Sequence, residues 1–120
     1  MVQENKELLL KDLCARLPYG VKVQYNNKVY GVDYVSGTYE EIRLDDGNNY
    51  TLNISKVKPY LRPMSSMTEE EKLMYEGLMI GTDNISYILD VIDWLNAHHF
   101  DYRGLIEKSL AIDATKLNVY

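Results

Sequence analysis

The stretch VKVQYNNKVYGVDYVSGTYEEIRLDDGNNYTLNISKVKPYL, residues 21–61, decides the fold, because apolar and polar residues alternate in it and turn residues interrupt it. Alternation puts every second side chain on the same face of a strand. The residues predicted to face inward are Val21, Val23, Tyr25, Ile42, Leu44, Tyr50, Leu52 and Ile54. Asn26-Asn27 and Asp46-Gly47 are typical of tight turns. The sequence therefore predicts about five short antiparallel strands in hairpin order.

Two residues constrain these strands further. Gly31 interrupts the second strand, Val29–Val35, and predicts a bulge or a sharp bend. Pro59 lies in the last segment, Val57–Leu61, and has no amide hydrogen to donate, so we expect that strand at an edge of the sheet. Five such strands form a strongly bent antiparallel β-meander, and we predict a small SH3-like barrel over residues 20–62.

A helix precedes the meander. Residues 4–17 place Leu9, Leu10, Leu13, Cys14 and Leu17 on one broad arc, which is typical of an amphipathic helix. The polar residues Lys6, Glu7, Lys11 and Asp12 are expected largely opposite that arc. We predict that Cys14 is a small buried side chain, because nothing cationic lies beside it in sequence to lower the pKa of its thiol.

Helices also follow the meander. Thr68 and Glu71 have the spacing of a capping box and predict a helix start. The apolar side of this helix is predicted to comprise Leu73, Met74, Gly77, Leu78 and Ile80. Gly81 is a plausible stop, and Thr82-Asp83-Asn84 is predicted to cap the next helix. Asp101 is predicted to cap a final short helix through Leu110, and residues 111–120 form a tail.

The helix from Ile85 to about His98 is the most apolar element of the chain. One stripe at helical spacing comprises Ile85, Ile88, Leu89, Ile92 and Leu95, and a second comprises Tyr87, Val91, Trp94 and His98. A helix that is apolar on two sides is normally central or binds a partner. The predicted partner surface comprises Tyr87, Trp94, His98, His99, Tyr102 and Arg103.

Composition and charge limit the functions to consider. The chain has 120 residues, a single cysteine and a net charge of −5. We expect one cytoplasmic α+β domain, residues 1–120, without an internal disulfide, because there is no apolar run of membrane length and no signal-peptide pattern. Residues 1–62 have a net charge of +1 and residues 63–120 one of −6. The acidic helical part, 68–110, favours basic partners over nucleic acid.

Catalytic and metal motifs are absent from the sequence: it contains no phosphate-binding glycine loop, no zinc-ligand spacing and no nucleophile elbow. The one constellation to weigh is His98 and His99 with Asp93 and Asp101 nearby. Adjacent helical side chains point about 100° apart, so the two imidazoles are poorly placed for one ion. We therefore predict no metal, no cofactor and no catalytic residue, and keep an enzyme using the His98–Asp101 region as a minor alternative.

A basic and aromatic cluster gives a second functional hypothesis. Seven of the eleven tyrosines lie between Tyr19 and Tyr60, where strand packing explains most of them. The cluster comprises Lys56, Lys58, Tyr60 and Arg62. Small barrels bind single strands through exposed aromatic residues, so a nucleic-acid-binding accessory protein using this edge is the alternative. Three charges bind nucleic acid weakly at physiological salt. The leading hypothesis is a non-enzymatic protein-interaction module with a regulatory or accessory role, and homodimerisation is compatible with either.

Three stretches of the sequence are distinctive: KDLCARLPYGVK at residues 11–22, KPYLRPMSSMTEEE at 58–71 and DWLNAHHFDYRGLIEK at 93–108. In these stretches the chain resembles a family of short uncharacterised proteins from anaerobic gut bacteria and their prophages. The resemblance covers about a third of the chain. It implies a bacterial or phage-derived cytoplasmic protein, and it implies no activity, cofactor or catalytic residue.

Overall fold

A computed structural model describes residues 1–80 and 85–120. The described chain contains three helices and a seven-stranded sheet, so the mixed α+β prediction is confirmed. In chain order the elements are α1 (Gln3–Arg16), β1 (Lys22–Tyr25), β2 (Lys28–Ser36), β3 (Glu41–Leu44), β4 (Leu52–Asn53), β5 (Lys58–Pro63), α2 (Glu69–Met79), α3 (Ile85–Ala97), β6 (Phe100–Asp101) and β7 (Ile112–Asp113). The predicted stop at Gly81 and the predicted cap at Thr82–Asn84 lie outside the described residues.

The sheet has the strand order β4-β3-β2-β1-β5-β6, and β7 also pairs with β5. Strands β1 to β4 form the predicted antiparallel meander, and β5 is antiparallel to β1. The two short strands β6 and β7 run parallel to β5. Within the described residues this sheet is open, so neither a closed SH3-like barrel nor a count of five strands is confirmed.

The turn between β1 and β2 has the predicted chemistry. Asn26 and Asn27 both have positive φ, 51° and 61°, and they join Tyr25 to Lys28. Asparagine tolerates this left-handed backbone better than most residues, and right-twisted strands favour it in two-residue hairpins. The pair therefore fixes the register of the first hairpin.

The β2 strand pairs with β1 through its first half and with β3 through its second half. Its register shifts between Val32 and Tyr34, just after Gly31, where the sequence predicts a bulge or a bend. Gly31 itself allows a close approach: its amide donates to Asp45 Oδ1 at 2.8 Å, and a Cβ on Gly31 would overlap the Asp45 carboxylate.

The edge position predicted for Pro59 is wrong. Pro59 is buried and pairs with Val23, and β5 has β1, β6 and β7 as neighbours. Strand β7 pairs with β5 at Tyr60 and Leu61, and strand β6 pairs with it at Arg62 and Pro63. Pro59, which has no amide hydrogen to donate, therefore lies just before the residues of β5 that pair with β6 and β7.

Two apolar clusters form the core. In the first, α1 packs on the sheet, and its buried residues include Leu9, Leu13, Val21, Val23, Ile42, Leu44, Ile54, Val57, Leu61 and Leu105. In the second, α2 and α3 pack around Met67, Val91, Leu95 and Phe100. The inward prediction holds for most of the meander, but it is wrong for Tyr50, which is 51% exposed and precedes the two-residue strand β4.

The polar and apolar sides of α1 differ from the prediction. Cys14 is exposed, whereas Asp12 and Arg16 are completely buried. The Arg16 Nε donates to Asp12 Oδ2 at 2.8 Å, and Arg16 Nη2 donates to the Phe100 carbonyl at 2.6 Å. These partners compensate the two charges for the loss of water. The buried side of α1 therefore consists of Leu9, Leu13 and this ion pair, and Cys14 lies on the opposite side.

The short helix predicted from Asp101 to Leu110 is wrong. Asp101 belongs to β6, and the residues after it form turns. Its carboxylate accepts hydrogen bonds from the Leu105 and Ile106 amides, each at 2.9 Å. Gly104 and Ser109 have positive φ, 75° and 60°, which a right-handed helix cannot contain. The aspartate therefore organises a turn instead of capping a helix.

Candidate interaction surface

The start of α2 is fixed by a reciprocal cap and an ion pair. The Glu71 amide donates to Thr68 Oγ1, and the Thr68 amide donates to Glu71 Oε1, so the predicted capping box is confirmed. The same carboxylate accepts two hydrogen bonds from Arg62, at 2.6 and 2.7 Å. These contacts lower the pKa of Glu71 to about 2, chiefly because the Arg62 guanidinium binds the ionised form.

One side of α3 packs inward. Val91 and Leu95 are buried in the second cluster, and Tyr87 and Trp94 pack against it. The Trp94 ring stacks on Phe100 at a centroid distance of 5.7 Å and on His98 at 4.4 Å. The His98 Nδ1 also lies 2.9 Å from the Trp94 carbonyl oxygen. This side of α3 is therefore a packing surface within the chain.

The other side of α3 is exposed. We call Ile85, Ile88, Leu89 and Ile92 the α3 stripe, because their spacing of i, i+3, i+4 and i+7 places them on one helical face. Ile85 is 73%, Ile88 46% and Leu89 57% exposed, and Ile92 is half-buried. The predicted stripe also included Leu95, which is buried in the second cluster, so the fold exposes the start of that stripe and buries its end. The sequence contained no signal for this division.

The apolar side predicted for α2 is also mostly exposed. Leu73 is 70% and Ile80 81% exposed, and Met74 and Met79 are also exposed. The α2 residues that pack on the second cluster are Tyr75 and Leu78, both half-buried. No described residue of α2 is fully buried, so most of its predicted apolar side is in contact with solvent.

The helices that present this apolar surface are acidic. Together α2 and α3 contain six carboxylates and one basic residue, Lys72, which lies 3.5 Å from Glu69. Asp93 follows Leu89 by four positions and is exposed, so it borders the α3 stripe. Asp90 is also exposed and lies on the same side, about 100° around the helix from Leu89. The exposed apolar residues thus lie beside negative charge.

The residues of the predicted partner surface are largely engaged inside the chain. Tyr87, Trp94 and His98 belong to the second cluster and its rim. The Tyr102 hydroxyl donates to Asn96 Oδ1 at 2.8 Å, and Arg103 Nη1 donates to Asp12 Oδ1 at 3.1 Å. These six residues stay a predicted surface. The contacts of Trp94, His98, Tyr102 and Arg103 lie at the end of α3 and in the turn to β6, and Arg103 joins that turn to α1.

His99 is the sixth predicted partner residue and packs on the C-terminal tail. Its ring stacks on Tyr120 at a centroid distance of 3.5 Å and an interplanar angle of 10°. Burial lowers the pKa of His99 to about 4, and the charges of Arg16, His98 and Arg62 act in the same direction. His99 is therefore neutral at pH 7, which suits a stacking role.

The predicted nucleic-acid edge is divided by the fold. Lys56 and Lys58 are exposed, whereas Tyr60 is only 5% exposed. Arg62 is bound to Glu71, and its guanidinium lies 4.2 Å from the centroid of the Phe100 ring. Two lysines of this edge face solvent, while the aromatic residue is in the core.

Within the described residues, few side chains are arranged for metal binding or nucleophilic catalysis. Residues 1–80 and 85–120 contain no cluster of three or more His, Cys, Asp or Glu side chains able to hold a metal ion. Cys14 lines a shallow apolar groove of about 590 Å³ with Leu8, Leu10 and Gly37. Partial burial raises the pKa of the Cys14 thiol, which disfavours the reactive thiolate.

Comparison of the chain with protein-family models, with curated proteins and with solved structures gave no match. None of the helices in the described part of the chain combines the length and the apolar character that crossing a membrane requires.

Proposed function

We propose that this protein is a non-enzymatic protein-interaction module that docks a partner through the α3 stripe. One observation supports the proposal above the others: Ile85, Ile88 and Leu89 leave 46 to 73% of their surface in water on a single helical face. Contiguous exposed apolar surface is typical of interaction sites, because burying it against a partner releases about 25 cal/mol for each Å² removed from water.

The inner side of α3 packs on the second cluster, so the α3 stripe is already helical before a partner binds. Val91 and Leu95 hold α3 on the second cluster, and Trp94 stacks between His98 and Phe100. A preformed helix loses little conformational entropy when a partner docks on it.

The setting of this module is also proposed. The resemblance described above implies a bacterial or phage-derived cytoplasmic protein, and a short chain without a recognised catalytic motif suits a regulatory or accessory role. We further propose that the meander has SH3-like curvature. In support, the long β2 pairs with β1 and β3 in turn, with a register shift between the two ladders.

A capture experiment tests the proposal. The tagged protein is incubated with lysate from an anaerobic gut bacterium, with and without nuclease, and bound proteins are identified by mass spectrometry. The test variant combines Ile88→Gln and Leu89→Gln, which keep good helix propensity. The matched control is Tyr39→Ser, which changes a side chain that is 72% exposed elsewhere on the surface.

The expected result is a defined protein that binds wild type and the control after nuclease treatment but does not bind the double variant. Equal capture by the double variant and wild type would contradict docking through the α3 stripe. Partners that disappear with nuclease would instead direct attention to Lys56 and Lys58, the exposed cations of the predicted nucleic-acid edge.

A further inference from the structure

We propose that the partner docks an amphipathic helix whose polar face is basic; this inference rests on the proposed docking through the α3 stripe. It joins two observations that are independent of each other. The first is the helical spacing of the exposed apolar residues on α3, and the second is the sign of the charge around them.

The spacing specifies the shape of the partner. Residues at i, i+3, i+4 and i+7 form a ridge along one side of a helix, and such ridges pack into the grooves of another helix. Ile85, Ile88 and Leu89 supply the exposed part of that ridge over little more than one turn of α3, and the half-buried Ile92 continues it. A partner helix with leucine or isoleucine at the same spacing would bury this ridge completely.

The charge specifies the chemistry of the partner's polar face. Asp93 lies about 40° around α3 from Leu89 and borders the α3 stripe, and Asp90 lies farther around the same side, about 100° from Leu89. Glu69, Glu70 and Glu76 are exposed on α2. The single basic residue of these two helices, Lys72, already lies beside Glu69. Lysine or arginine on the partner would therefore meet carboxylates that have few cations of their own.

The same charge argues against two other occupants. A second copy of this chain would bring its own acidic α2 and α3 against these carboxylates, and like charges across an interface are destabilising. An anionic lipid surface would be repelled for the same reason. A basic helix is the occupant that satisfies both the apolar stripe and its border.

Three labelled peptides of about 18 residues, long enough for several helical turns, probe this inference. The basic peptide has leucines at helical spacing and lysines elsewhere. The acidic peptide replaces those lysines with glutamates, and the scrambled peptide has the basic composition without the apolar periodicity. Binding to the full chain is measured by fluorescence anisotropy at about 0.05 M and about 0.5 M salt, which changes electrostatic screening strongly. The protein variants are Ile88→Gln with Leu89→Gln, Asp90→Asn with Asp93→Asn, and Tyr39→Ser as control.

We expect the basic peptide to bind wild type at least about tenfold more tightly than the acidic or the scrambled peptide. Its affinity should fall at high salt and in the Asp90 and Asp93 variant, and should fall at least about tenfold in the Ile88 and Leu89 variant, because two apolar contacts are lost. The Tyr39 control should bind as wild type does.

Four results would overturn the inference. Equal affinity for the acidic peptide would remove the charge argument, and unchanged binding to the Ile88 and Leu89 variant would remove the stripe. Self-association of wild type that Ile88→Gln with Leu89→Gln abolishes, without peptide binding, would identify a second copy as the occupant. The lysate capture described above is independent of peptide charge. A stripe-dependent protein captured there, together with failure of the basic peptide, would reject the partner class and leave the proposed function standing.

Discussion

The hydroxyl of Tyr120 donates a hydrogen bond of 2.8 Å to the carbonyl oxygen of Tyr60, across 60 positions of sequence. The same hydroxyl accepts from the Lys22 amide at 2.9 Å. In the antiparallel register of β1 and β5, Lys22 is opposite Tyr60, directly beyond the Val23 and Pro59 pair. The Tyr120 hydroxyl thus connects the Lys22 amide of β1 to the Tyr60 carbonyl of β5. These two bonds also hold the C-terminal tail against the sheet.

Tyr120→Phe should lower the free energy of unfolding by about 1 to 2 kcal/mol, because it leaves the Lys22 amide and the Tyr60 carbonyl without their shared partner. The ring and its stacking on His99 stay in place. Urea denaturation followed by circular dichroism measures the change. Tyr39→Phe, which removes a hydroxyl from a side chain that is 72% exposed, is the control and should be neutral. Equal stabilities of Tyr120→Phe and wild type would show that the bridge contributes nothing.

The same hydroxyl predicts a loss of stability in alkali. Although 44% of Tyr120 is exposed, its hydroxyl lies between two strands, and desolvation raises the pKa of the phenol to about 12 from an ordinary value of 10.0. A group with a raised pKa in the folded state contributes stability below its unfolded pKa and loses it as pH rises through the folded value. Wild type should therefore lose more stability than Tyr120→Phe between pH 10 and pH 12. Parallel stability curves for the two proteins over this range would contradict the assignment.

The sequence predicted the elements whose signals are local. Strand alternation placed Val23, Ile42 and Leu44 in the core, and the Thr68 to Glu71 spacing located the start of α2. These patterns depend on neighbours within a few residues, and backbone geometry makes them direct. The α3 helix had two apolar stripes, and the fold buries one residue of each: Val91 and Leu95 pack with Met67 and Phe100, which come from distant parts of the chain.

The errors arose where distant residues change the environment of a local pattern. Asp12 appeared polar and exposed in the helical pattern of α1, yet it is buried because Arg16 and Arg103 both bind it. Arg103 lies 91 positions away from Asp12. Pro59 suggested an edge strand, but β6 and β7 come from residues 100–113 and enclose the later part of β5. No pattern within a short window contains these pairings.

Asp12→Asn should destabilise the protein by about 3 to 5 kcal/mol, because it leaves the completely buried Arg16 guanidinium without a carboxylate. A double variant, Asp12→Leu with Arg16→Met, should recover part of that loss, since it removes both charges together. Lys11→Ala, at an exposed position of the same helix, is the control. Urea midpoints compare the four proteins. A double variant that is less stable than Asp12→Asn would show that the hydrogen bond from Arg16 to the Phe100 carbonyl outweighs the burial of charge.

Glu71→Gln should destabilise the protein at neutral pH, and the difference from wild type should shrink in acid. The pKa of Glu71 is lowered from an ordinary 4.5 to about 2, mainly by its hydrogen bonds from Arg62. A lowered pKa contributes stability above the unfolded value and loses it as pH falls through the folded value, so the window is pH 4.5 to 2. Thermal unfolding across this range measures the effect. Glu70→Gln keeps the Arg62 pair and should follow the wild-type curve, apart from a small loss of charge at the helix start.

The last prediction separates the exposed residues of α3 from its buried ones without any partner. Ile88→Gln with Leu89→Gln should change the free energy of unfolding by no more than about 0.5 kcal/mol, because both side chains are already about half exposed and glutamine favours a helix. Leu95→Ala, on the inner side at 4% exposure, should cost about 2 to 5 kcal/mol. Fluorescence of Trp94, the single tryptophan of the chain, reports unfolding of the second cluster in urea. If the glutamine pair destabilised the protein as much as Leu95→Ala does, the α3 stripe would be part of the core and unavailable to a partner. A neutral glutamine pair beside a costly Leu95→Ala would show that the α3 stripe lies outside the core and is free to contact a partner.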